Sequence, residues 1–131
     1  VRVLLGQQEW ILVVDDEAAI CEVTKTTLEA HQYQVLTAGD AIEAIAQFAQ
    51  HKDKIAAVLM DIMMPSMDGL TTLSLLRRFK PNVYAIAMSG LNSTEAVIQA
   101  ERQGFQAFLP KPFATKDLLQ TLRHGITEYS Q

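Results

Sequence analysis

Short apolar runs alternate with amphipathic stretches along the whole chain. Trp10–Val14, Tyr33–Ala38, Ile55–Met60, Val83–Met88 and Gln106–Leu109 are compact apolar segments. Unbroken runs of this length, rich in β-branched residues, predict strands buried on both faces. The stretches between them carry apolar residues at helical spacing. One runs from Glu17 to Ala30 with Ala19, Ile20, Val23, Thr27 and Leu28 inward, and Asp16 is placed to cap it. Asp40 opens the next, to about Gln50, with Ile42, Ile45, Ala46 and Ala49 on one face. A third runs from Asp68 to Phe79 on Leu70, Leu73 and Leu76, with Phe79 a further candidate for that face, and Lys80-Pro81-Asn82 breaks it. Asn92 or Ser93 caps a fourth, with Ala96, Val97 and Ala100 inward and Gly104 as its stop. The last runs from Thr115 to Glu128 on Leu118, Leu119, Leu122 and Ile126.

Strands that alternate with helices predict an open parallel sheet covered on both sides. With right-handed crossovers, five strands favour an α/β, flavodoxin-like (βα)5 doubly wound sheet of order 2-1-3-4-5. In that order strands 1 and 3 lie side by side where the winding reverses, and ligands bind outside the carboxyl ends of the strands there. Residues 1–9 read as a linker and 10–131 as a single domain.

Composition narrows the function classes. The chain has 131 residues, 49% of them hydrophobic, and a net charge of −4. That supports one folded core. No Lys/Arg block marks a nucleic-acid or anionic-membrane surface, so neither contact is expected of this domain by itself. Cys21 is the only cysteine, which excludes an internal disulfide and fits a reducing, cytoplasmic setting. Neither Cys21 nor the histidines show metal-ligand spacing. The chain opens on Val rather than Met, as a piece of a longer polypeptide would.

The chemistry collects at the strand ends. Val58-Leu59-Met60 ends on Asp61, followed by Pro65 and Asp68-Gly69. The first strand ends on Asp15-Asp16-Glu17, the fourth on Ser89-Gly90, the fifth on Lys111. Alone, each has a bland explanation as a cap, a turn residue or a solvated loop residue. Together they place three carboxylates, Asp15, Asp16 and Asp61, on one rim with a hydroxyl and an ammonium. Close anions repel unless cations intervene. Lys111 offsets one charge, and a hard divalent cation with oxygen ligands, such as Mg²⁺, suits the rest.

Asp15-Asp16, Asp61 with Pro65 and Gly69, Ser89-Gly90 and Lys111-Pro112-Phe113 resemble a response-regulator receiver domain of two-component signalling, over roughly Trp10 to Glu128. The resemblance implies that Asp61 is the phosphoacceptor, taking a phosphoryl group from phosphohistidine. It implies that Asp16 binds Mg²⁺ directly, Asp15 mainly through water, and Met63 through its backbone carbonyl. Lys111 is then the contact to the phosphoryl oxygens, Ser89 the switch hydroxyl and Phe108 the switch aromatic. A cis Lys111–Pro112 bond is also implied. The implied partners are a histidine kinase or a histidine phosphotransfer domain of a phosphorelay; the downstream partner is not given, and a homodimer stays open. Such a domain is a regulatory phosphoacceptor, not an enzyme acting on other molecules. The stretch from Glu9 to Glu17 resembles the receivers appended to hybrid histidine kinases, so a C-terminal receiver of such a kinase is favoured over a free-standing regulator.

Phe108 lacks the hydroxyl of the commoner Tyr. Ala41 and Gln32 stand where many relatives have Gly. A haloacid-dehalogenase-type phosphatase also uses a carboxylate nucleophile, but carries it on the first strand in an Asp-x-Asp pattern. A flavin carrier of the same fold wants a Ser/Thr/Gly-rich phosphate loop after strand 1, where this chain is acidic. A receiver that serves only protein contacts does not need the intact acid set.

Overall fold

In the computed structural model, which describes residues 4–65 and 68–129, the apolar runs pair as one parallel sheet. Its strands are β1 (Trp10–Val14), β2 (Gln34–Ala38), β3 (Ile55–Asp61), β4 (Tyr84–Ser89) and β5 (Ala107–Pro110), in the order β2-β1-β3-β4-β5. This is the order that the alternation of elements predicts. The helices are α1 (Ala18–Glu29), α2 (Ala41–His51), α3 (Gly69–Phe79), α4 (Thr94–Arg102) and α5 (Thr115–Tyr129).

Side chains alternate across each strand, so the sheet has two cores. Leu12, Val14, Val58, Met60, Ala85 and Ala87 face Phe48, Leu73, Leu76 and Ala100 from α2, α3 and α4. Ile11, Val13, Ala57, Leu59, Ile86 and Met88 face Leu28, Leu118, Leu122 and Ile126 from α1 and α5. No helix among the described residues is long and apolar enough to cross a membrane.

The inward faces of three helices differ from those that periodicity suggests. Val23, Ile42, Leu70 and Phe79 are exposed by 66%, 82%, 47% and 41%. In their helices Cys21 and Thr24, Ala44 and Phe48, and Thr72 are buried instead. The sheet selects the helix face that fits it, whatever the hydropathy of the rest. The cap of α1 is Glu17, not Asp16, and its side chain makes no capping bond. Asp40, Asp68 and Ser93 do cap their helices through side-chain oxygens.

Residues 4–9 lie along the domain. Gly6 N donates to His31 O at 2.8 Å, and Gln34 N donates to Glu9 O at 2.9 Å. Arg123 of α5 pairs with the Glu9 carboxylate at 2.9 Å. Gln32, in the turn before β2, has φ 72°, the left-handed region that glycine tolerates best; its side chain accepts from Gln8 Nε2 at 2.8 Å. On β4 the buried Tyr84 ring fills the space beside Gly125, where a Cβ would overlap it, and Tyr84 OH donates to Thr121 O.

The amino ends of the strands gather cations. Lys54 Nζ lies 4.9 Å from the centre of the Trp10 ring, against which His51 packs. Lys52 covers Phe79, and Lys80 donates to Ile55 O at 2.6 Å.

Candidate functional site

Sheet register brings the opposite ends together. Val14 pairs with Met60, Asp61 with Met88, and Ser89 with Pro110. The residues that leave β1, β3, β4 and β5 therefore emerge in step at one rim. Asp15 N donates to Ala38 O, Ile62 N to Met88 O and Lys111 N to Ser89 O, the last at 2.7 Å. These bonds carry the ladder past the strand ends and hold the loops in place.

Asp15 and Asp61 are buried, and Asp16 is exposed. Lys111 Nζ bridges the buried pair, 2.9 Å from Asp15 Oδ2 and 3.0 Å from Asp61 Oδ2. Burial pushes the Lys111 ammonium down, but hydrogen bonds and charge from Asp15 and Asp61 outweigh this, and its pKa lies above the ordinary lysine value. Each buried carboxylate spends its other oxygen on its own loop. Glu17 N donates to Asp15 Oδ1 at 2.9 Å, and Met63 N to Asp61 Oδ1 at 2.8 Å. The Lys111–Pro112 peptide bond is cis.

Ser89 is fully buried, and its Oγ accepts from Leu91 N at 3.0 Å. Phe108 pairs with Ala87 in the sheet and packs, half-buried, against the core of α2, α3 and α4. It does not line the cleft. A cleft of about 350 Å³ opens over the acids, lined by Asp16, Glu17, Asp61, Met63, Gly90, Leu91 and Lys111.

Carboxylate oxygens of Asp15, Asp16, Glu17 and Asp61 lie within 4.8 Å of one another. Oxygen donors alone, closely spaced, suit a hard divalent cation such as Mg²⁺. Lys111 balances only one of their charges, so the set retains the excess negative charge that such an ion requires. Glu17 is the member that sequence reasoning left out. Its signal was adjacency to Asp15-Asp16. The Asp15–Glu17 turn returns it to the rim, where its carboxylate comes 3.7 Å from Lys111 Nζ.

Comparisons with known proteins agree with this geometry. The family model described as the response regulator receiver domain matches residues 11–123. The response regulator MprA of Mycobacterium avium is 34% identical over 113 residues, which are 86% of this chain and 49% of that protein. The chain thus spans about half the length of the curated relatives it matches. Among solved structures, a response regulator receiver domain protein from Clostridium thermocellum is 29% identical with a TM-score of 0.85, covering 93% of this chain and 97% of that one. A chain of a CheX-CheY-BeF3-Mg²⁺ complex from Borrelia burgdorferi is 29% identical with a TM-score of 0.80, covering 88% of this chain and 87% of its own.

Proposed function

The chain belongs to the response regulator receiver domain family, a phosphoacceptor module of two-component signalling, and from that premise we propose that Asp61 is its phosphoacceptor. The observation that carries this is the position of Asp61: buried, at the carboxyl end of a central strand, bonded to Lys111 and open to the acidic cleft.

The reaction is a displacement at phosphorus. An Asp61 carboxylate oxygen forms the new P–O bond while the P–N bond of a phosphohistidine breaks. The bonding pair returns to the imidazole nitrogen, and the donor ring, protonated on its other nitrogen, leaves as neutral histidine. Positioning and charge neutralisation do most of the work in such transfers. The Met63 N–H holds one Asp61 oxygen and fixes the rotation of the carboxylate. Lys111 lies within reach of oxygens added at Asp61. Ser89 would donate to one of them after releasing the Leu91 N–H. Asp15, Asp16 and Asp61 would hold Mg²⁺, with Glu17 beside them and the Met63 carbonyl as a further ligand; the ion supplies charge neutralisation and orientation at the phosphoryl oxygens. The Borrelia complex contains Mg²⁺ and BeF3, which supports the metal assignment.

The donor in this reading is a histidine kinase or a histidine phosphotransfer domain in the cytoplasm. For the parent polypeptide the Glu9–Glu17 stretch supports a hybrid histidine kinase, and the coding sequence upstream of Val1 tests that directly. The function itself is tested by intact mass after incubation with acetyl phosphate and Mg²⁺. Wild type gains one phosphoryl group and Asp61→Asn gains none; equal gain in both removes Asp61 from the role.

A further inference from the structure

Glu17 sits at the N-cap position of α1, yet its carboxylate caps nothing. It reaches instead across the mouth of the cleft, 63% exposed, to 3.7 Å from Lys111 Nζ. Its oxygen belongs to the same close group as those of Asp15, Asp16 and Asp61. Asp15, Asp61 and Lys111 are bonded to one another inside the site, whereas the Glu17 side chain makes no hydrogen bond there: its backbone N–H, not its side chain, stabilises Asp15.

We infer that Glu17 is a specificity-determining residue, an electrostatic gate that disfavours small anionic phosphodonors at Asp61. The inference rests on Asp61 being the phosphoacceptor. A phosphodonor must bring its phosphorus through the mouth that Glu17 lines. A free acyl phosphate carries its negative charge past this carboxylate and has no larger surface over which to spread its approach. A protein donor spreads its approach over a whole surface, so one carboxylate weighs less against it. Glu17 also draws on the same ammonium that must turn toward the phosphoryl oxygens. Replacing Glu17 by Gln removes the charge while keeping the backbone bond to Asp15. Because Glu17 is exposed, its influence is screened by salt, with a Debye length of about 10 Å at 0.1 M.

With acetyl phosphate the Asp61–phosphorus bond forms as the bond from phosphorus to the acyl oxygen breaks, and acetate leaves with the electron pair. With phosphoramidate, which carries less negative charge at neutral pH, ammonia leaves after proton uptake. Phosphorylation rates of wild type, Glu17→Gln and Glu17→Asp are compared for both donors in saturating Mg²⁺, at about 20 mM and 500 mM salt, with Asp61→Asn as control. Mg²⁺ affinity is measured separately by calorimetry. We expect Glu17→Gln to react about three-fold to ten-fold faster with acetyl phosphate at low salt. The gain should be smaller with phosphoramidate and should shrink at high salt, while Glu17→Asp stays near wild type. Mg²⁺ affinity should fall slightly in Glu17→Gln, opposite to the change in rate. Equal rates for wild type and Glu17→Gln, or a gain independent of donor charge and salt, overturn the gate while leaving Asp61 in its role. Unchanged phosphorylation in Asp61→Asn overturns the underlying assignment instead.

Discussion

Lys111 Nζ lies 3.0 Å from Asp61 Oδ2, so the cleft ammonium is tied to the carboxylate assigned to receive phosphate. The same ammonium satisfies Asp15, whose side chain is fully buried. Lys111→Met would leave two buried carboxylates without a counter-charge, a loss on the order of 3 kcal/mol. Mg²⁺ bound only to the native state raises stability by mass action. It should therefore raise the melting temperature of Lys111→Met more than that of wild type. Thermal melts in chelator and in Mg²⁺ measure both effects, and an equal Mg²⁺ increment in the two proteins contradicts the shared counter-charge.

Met63 and Leu91 flank the cleft with exposed apolar side chains. Neither side chain can orient an attacking water, which needs a donor or acceptor. Met63→Asn combined with Leu91→Glu should speed loss of phosphate about ten-fold, equivalent to about 1.4 kcal/mol off the barrier. Decay of purified phosphoprotein in excess Mg²⁺ reads this, and equal or slower decay in the double variant removes these side chains from control of water access.

Ser89 Oγ is held by the Leu91 N–H, and Phe108 is only half-buried on the neighbouring strand. A phosphoryl group that draws Ser89 toward itself would biase the packing around Phe108 through differential contacts with the two arrangements. Ser89→Ala should weaken the response of Phe108 NMR signals to phosphorylation more than it slows phosphorylation. Identical responses in wild type and variant argue against Ser89 as the link.

Gly125 is a poor helix residue inside α5, and on propensity alone Gly→Ala should stabilise by about 1 kcal/mol. The Tyr84 ring reverses that sign, because a Cβ at this position would overlap it. Gly125→Ala should destabilise by about 1–3 kcal/mol, the usual cost of overpacking. Urea denaturation gives the value, and a raised midpoint means the ring has room to move.

Glu9 joins the amino-terminal segment to α5 through Arg123. Burial raises its pKa, but the Gln7 N–H and Arg123 lower it further, and the net value lies below the ordinary glutamate range. A depressed carboxylate pKa contributes stability that is present above the unfolded value, about 4.3, and is lost as pH falls through the folded value. The amide signals of Gly6 and Gln8 should therefore shift in acid below that range. In Arg123→Ala the midpoint should move up toward the ordinary value; an unmoved midpoint means that Arg123 does not hold Glu9.

The strands and their order were legible because a parallel sheet buried on both faces leaves unbroken apolar runs such as Ile11–Val14. Helix faces were harder to read. In α2, Ala41, Ile42, Ala44, Ile45, Ala46, Phe48 and Ala49 are all apolar, so periodicity alone does not choose between a face with Ile42 and one with Ala44. The choice is made by packing against the sheet, where Ala44 and Phe48 join Leu12, Val14 and Val58 in one core. Asp15, Asp61, Ser89 and Lys111 could be assembled in advance because each ends a strand. Glu17 could not, because its place depends on a turn that bends it back onto Lys111.

Lys52, Lys54 and Lys80, with Asp53 among them, and the acidic mouth occupy opposite ends of the same strands. A small net charge thus conceals a molecule with two electrical poles. An approaching partner experiences a torque before any contact forms, and a cationic surface is turned toward the acidic end. Orientation during encounter is thereby built into the direction in which the strands run, and added salt should slow productive association by weakening that alignment.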